Sequence, residues 1–264
     1  MGELTLLLFG LTSPRHRGAA SEFVKWAESM AHVLWPEVES MGDRLLGKMP
    51  LDPIDTKPRA SAMLLLFPIL EAITSRRSHF HETVSELLAV AAHTKHRQNN
   101  RDLAFACDVA GVQDCCEDSM TDLATHIALW DRNPSFATSS WHYDVTHAIF
   151  YATKFGRRRV SWNSGLHVWL NTHLGSLVTH RLAVKDYDLA AELLASIAWA
   201  DLDTTIPFWT GMDALANVVE AEGCVPAYPP LRGPWDDTFQ NSYHATLVSL
   251  SALAEGALQA NPCR

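Results

Sequence analysis

No stretch of this chain alternates apolar and polar residues with a period of two. Apolar side chains recur instead every three or four positions, in blocks separated by Pro, Gly and Asn. That spacing builds helices with one buried face and rules out a half-buried sheet. About ten helices are expected, joined mostly by short connections, so the fold class is all-α. Helical patterns cover 19–34, 61–76, 81–96, 101–113, 117–130, 141–156, 165–181, 188–200, 207–221 and 237–259. Residues 1–17 are ambiguous. Phe23, Trp26, Ala27 and Met30 form an apolar stripe in the first long helix, and Pro36 marks a kink or a new first turn. Two Pro-rich stretches, 47–59 and 223–236, read as loops. The first suggests an N-terminal helical segment and loop at 1–59, followed by a main helical domain at 60–264, or else one continuous domain.

Composition sets limits on function. Net charge is -9, from 30 Asp and Glu against 21 Lys and Arg. Nucleic-acid binding depends on neutralising phosphates and is not expected. The one basic run, Arg157-Arg158-Arg159, directly follows Gly156 and suits a solvated helix end. The five cysteines are odd in number, two are adjacent, and no C-x-x-C occurs. A disulfide framework or thiolate zinc site is therefore not expected, and a reducing cytoplasm is. The apolar run at 4–11 is short and lacks a basic leader, and no stretch is long enough to span a membrane, so no membrane association is expected.

The chemistry concentrates in the helix at 141–156. Asp144, His147, Tyr151 and Phe155 follow i, i+3, i+7, i+11 spacing and share a face. A core stripe ordinarily carries aliphatic side chains, and polar groups on one must be paired or face a cavity. Two readings stand: a buried Asp–His–Tyr cluster that fixes the helix, or a small-molecule site. Asp144, His147, Tyr151 and His244 are the expected acid–base groups. Trp141, Tyr243, Asp201 and Trp209 are the expected substrate contacts. His147 has the unperturbed pKa nearest neutrality and would be the proton carrier. Asp144 would orient it, and Tyr151 would hydrogen-bond a developing oxyanion.

Weak internal repeats link distant segments. His81–Ala89 is similar to Tyr187–Ala195, and Tyr143-Asp144-Val145-Thr146 to Tyr243-His244-Ala245-Thr246. Helix pairs repeated around a ring or arc would point Asp144 and His244 at one central cavity. The final helix carries the stripe Phe239, Tyr243, Leu247, Leu250 and Ala254, with His244 beside it. His173 and His180 share a helix face but have no acid at ligand spacing, so no metal is expected there. No nucleotide, dinucleotide or serine-hydrolase motif is present, and no cofactor is expected.

The segment Thr146-His147-Ala148-Ile149-Phe150-Tyr151-Ala152-Thr153-Lys154-Phe155-Gly156, with Tyr243-His244-Ala245-Thr246-Leu247-Val248, resembles the signatures of an uncharacterised all-helical bacterial domain family. The resemblance spans about 60–260 and implies no activity. More distantly, Tyr243-His244-Ala245-Thr246 is similar to the zinc-ligand helix of protein prenyltransferase β subunits, which are α/α toroids. That likeness implies a toroid. Its Asp-x-Cys ligand pair is matched here only by Asp201-Leu202-Asp203, which lacks the thiolate. The expectation is a cytoplasmic enzyme performing cyclisation, isomerisation or elimination on a small molecule, its oligomeric state open, with a homodimer among the options. The alternative is a non-catalytic helical scaffold or ligand sensor.

Overall fold

A computed structural model describes residues 2–16, 21–45, 58–92, 101–128, 134–228 and 239–260. Among them are eleven α-helices and no strand, so the protein is all-helical. They are α1 (Gly2–Leu11), α2 (Ser21–Leu45), α3 (Pro58–Thr74), α4 (His81–Ala92), α5 (Arg101–Val109), α6 (Cys116–Ala128), α7 (Ser139–Thr153), α8 (Ser164–Ala183), α9 (Tyr187–Trp199), α10 (Ile206–Glu222) and α11 (Tyr243–Ala260). No described helix is long and apolar enough to cross a membrane. Cys263, His93, His96 and Trp235–Thr238 lie outside the described residues.

The chain forms two compact units, one running to Glu117 and the other starting at Asp118 within α6. This differs from a boundary near residue 59. The Pro-rich stretch joins α2 to α3, which pack against each other in the first unit. In that unit α3 is the central element. Leu64–Leu70 are buried without a break, and α1, α2, α4 and α5 surround them. A helix apolar on every face must be covered on every face, and this one is.

Two expectations for α2 change. The helix runs through Pro36 to Leu45. Its buried stripe is Val24, Ala27, Ala31, Trp35 and Val38, whereas Phe23 and Trp26 are exposed. Ala27 and Ala31 are small and fully buried, and Trp35 supplies the volume. Arg76 lies over the Trp35 ring at 5.0 Å, a cation–π contact.

The second unit is built around α9. Every residue from Asp188 to Trp199 is buried, and α7, α8, α10 and α11 pack around the helix. A ring of helices around an open middle is not confirmed, since the middle of this unit is α9 itself. Close packing follows from composition. Ala191, Ala195 and Ala198 on α9 are fully buried, as are Ala245 and Ala252 on α11. The buried face of α11 also includes Ser249 and Gly256, while Phe239 and Leu250 of the expected stripe are exposed. Small side chains let two helix axes approach, so bulk is displaced to the other face.

Helix ends are set by local chemistry. Thr138 caps α7, its hydroxyl accepting the Trp141 N–H at 3.2 Å. Asn163 and Asp186 cap α8 and α9 in the same way. α7 stops at Thr153, earlier than the sequence pattern implies. Lys154, Phe155 and Gly156 all take left-handed φ, at 50°, 53° and 79°. That turn folds the Phe155 ring back beside Phe150 and against Trp199, at 5.5 and 5.3 Å. A Cβ at position 156 would sit 2.4 Å from Trp199 Cδ1. Gly156→Ala should therefore lose about 2 kcal/mol through strained φ and overpacking, read by urea denaturation.

Candidate functional site

The second unit gathers six polar side chains from three helices. Asp188 and Glu192 stand one turn apart on α9, so their carboxylates share a face. Tyr143, Thr146 and His147 face them from α7, and His244 from the start of α11. The Tyr143 hydroxyl donates to Asp188 Oδ2 at 2.6 Å. The His244 Nδ1–H donates to Asp188 Oδ1 at 2.7 Å. Thr146 Oγ1 donates to Glu192 Oε2. Burial first, then the Asp188 carboxylate, pushes the Tyr143 phenol far above its ordinary range, so it remains a donor.

The other Glu192 oxygen is different. Oε1 is buried and accepts no hydrogen bond. His147 Nε2 lies 3.5 Å from it and His244 Nε2 lies 3.8 Å from it. Both separations exceed a good hydrogen bond but keep the charges close. The Glu192 side chain is 1% exposed, against 42% for His147 and 32% for His244. A solvent-reachable pair of imidazoles thus shares one buried carboxylate oxygen. A carboxylate so buried is costly unless cations or donors face it, which gives the two histidines an electrostatic reason to converge there.

His147 and His244 lie well within the roughly 15 Å that one small ligand can bridge. Tyr151 adjoins His147, with ring centroids 6.2 Å apart. Asp144 is half-buried on the same helix, and the carboxylate placed against His147 Nε2 is Glu192. Tyr243 stacks on Phe239 at 5.4 Å. The remaining expected contacts are elsewhere. Trp141 is at the start of α7, donating from Nε1 to His126 O at 3.2 Å and meeting Trp169. Asp201 follows the far end of α9, about 20 Å along the helix from Asp188, and pairs with Arg159 at 3.6 Å. Trp209, in the first turn of α10, packs on Phe208. Among the described residues no group of three or more His, Cys, Asp or Glu is arranged to hold a metal ion.

Sequence reasoning passed over Tyr143, Thr146, Asp188 and Glu192. A signal for the last two was present. In Tyr187–Trp199 the only charged side chains are two acids spaced by four, and acids in a helix otherwise so apolar are buried acids.

A second network lies beside the first. His142 is fully buried, its Nε2–H donating to Pro134 O at 2.9 Å, and its Nδ1 accepts from Arg181 Nη2. Arg181 Nη1 also donates to Asp186 Oδ2 at 3.2 Å and Ser139 Oγ at 3.1 Å. Burial, reinforced by the Arg181 charge, lowers the His142 pKa to about 4. This imidazole is neutral and inaccessible, a brace between α7, α8 and the cap of α9.

The chain belongs to the family described as domain of unknown function DUF6895, which it matches over residues 1–254. Neither the curated proteins nor the solved structures include a match.

Proposed function

We propose that this protein is a cytoplasmic enzyme of small-molecule metabolism that moves protons on its substrate through His147 and His244. One observation carries the reading: two part-exposed imidazoles hold Nε2 at 3.5 and 3.8 Å from a single buried carboxylate oxygen that accepts no hydrogen bond. His244 commits its Nδ1–H to Asp188 and holds its Nε2 toward Glu192, so Nε2 is the nitrogen assigned to proton transfer. His147 is the more exposed imidazole and meets the substrate first. Glu192 stabilises whichever imidazolium forms. The role expected of Asp144 thus falls to Glu192, while Tyr143 and Asp188 position His244. A base and an acid on one substrate suit isomerisation, elimination or cyclisation, and Tyr151 supplies an aromatic wall beside His147.

The closed chain Tyr143–Asp188–His244, which ties α7, α9 and α11 together, favours a second reading. In it the cluster is a brace, and the protein is a helical scaffold or ligand sensor.

The two readings separate in heavy water. Purified protein is incubated in D2O with a small-metabolite extract, and masses are compared with a control containing the His147→Gln/His244→Gln double variant. The enzyme reading expects at least one compound to gain deuterium or change mass with the wild type alone. Identical spectra from the two proteins would favour the brace.

A further inference from the structure

The first unit holds a cavity of about 160 Å³ between α3, α4 and the end of α5. Pro68, Ala72, Val84 and Val109 give it an apolar wall. Its polar side is Glu71, His81 and Ser85. A cavity of roughly 150 Å³ is enough to hold a benzene ring, so this one takes a six-membered ring with a single small substituent.

The polar side restricts that substituent. Both Glu71 oxygens are occupied: Oε1 accepts the Ser78 N–H at 2.8 Å, and Oε2 accepts the His81 Nδ1–H at 2.7 Å. The carboxylate therefore fixes the imidazole and has little left for a ligand. With its Nδ1–H committed to Glu71, His81 can accept a hydrogen bond only at Nε2. Ser85 lies one turn after His81 on α4 and lines the same cavity. Its hydroxyl can donate. A hydroxyl meets both demands with a single heavy atom, donating to the imidazole nitrogen and accepting from the serine. An anionic substituent would instead meet the Glu71 charge.

We infer that this cavity is a binding site for a small hydroxylated ring compound, of which phenol is the simplest. The ring fills the apolar half, and its hydroxyl bridges His81 Nε2 and Ser85 Oγ. The site stands on the residues of the first unit alone and does not depend on the chemistry proposed for His147 and His244.

Phenol, toluene and benzoate are titrated into the full chain and followed by ligand-observed NMR at pH 7.5. Phenol should bind saturably, with a dissociation constant on the order of 1 mM for so few atoms. Toluene and benzoate should bind at least about tenfold more weakly, about the effect of one lost hydrogen bond. Ser85→Leu fills the cavity and should abolish phenol binding. Ser85→Ala, which adds no bulk, should weaken it several-fold. The inference is overturned if wild-type protein shows no saturable phenol binding, if toluene or benzoate binds as well as phenol, or if neither serine variant alters phenol binding.

Discussion

Arg181→Met should lower stability by about 3–5 kcal/mol, the usual cost of removing one partner from a buried ion pair. The Arg181 side chain is 9% exposed and that of Asp186 2% exposed, so water cannot replace the lost guanidinium. Three elements lose a shared anchor. Ser139 in the first turn of α7 loses a donor, His142 loses the donor to Nδ1, and the capping carboxylate of α9 is left unpaired. Burial already raises the Asp186 pKa above its ordinary 3.8, with Arg181 opposing the rise. Removing Arg181 raises it further. A raised carboxyl pKa means the folded state holds a proton that the unfolded chain has released, so stability falls as pH rises through that window. The deficit of Arg181→Met should accordingly be largest at neutral pH and shrink toward pH 3.8. Adding Asp186→Asn, which keeps a capping oxygen without the charge, should restore more than about 1 kcal/mol. Urea denaturation at several pH values reads all of this. A loss below about 1 kcal/mol for Arg181→Met would show that the network does not brace the helices.

His142 should make the protein sensitive to acid. Its pKa falls from the ordinary 6.5 to about 4 in the folded state, mainly through burial. The folded protein therefore refuses a proton that the unfolded chain accepts. The associated stability is complete above pH 6.5, declines as pH falls, and is gone below about 4. A gap of that size corresponds to about 3 kcal/mol. His142→Gln has no titrating group, so its unfolding free energy should change less between pH 7 and pH 4, by about that amount. Equal slopes for the two proteins would show that His142 is not protected from protonation.

Helical periodicity made the fold class legible, because that signal is local and repeats along the whole chain. Which face of each helix is buried was harder to read. In α2 and α11 the eye follows Phe23, Trp26 and Phe239, yet close packing buries Ala27, Ala31, Ala245 and Ala252 instead. Side-chain size at a helix interface depends on the partner, which a single helix pattern does not contain. The site was half legible. His147 and His244 stand out because titratable groups are rare in such apolar surroundings, and the Tyr-x-x-Thr repeat linked their helices. The buried half was missed because Asp188 and Glu192 sit in a segment that reads as plain Ala/Leu helix. What they accept from Tyr143, Thr146 and His244 is set only by tertiary packing. Asp201 was expected from its place just after a helix end, and a helix end in sequence does not say how far it lies from side chains one turn into that helix.

The central claim is that His147 and His244 work on a ligand and do not merely brace the helices. The His147 side chain is 42% exposed and stands 3.5 Å from Glu192, and glutamine keeps a donor at that place, so His147→Gln should leave the fold near its native stability. The most direct measurement follows deuterium incorporation into the compound that the wild type labels, together with the melting temperature, for His147→Gln. The account predicts a rate at least about 100-fold lower, the scale of a lost general acid or base, with melting within a few degrees of wild type. An unchanged rate, or a rate that falls only in step with a large drop in melting temperature, would contradict it.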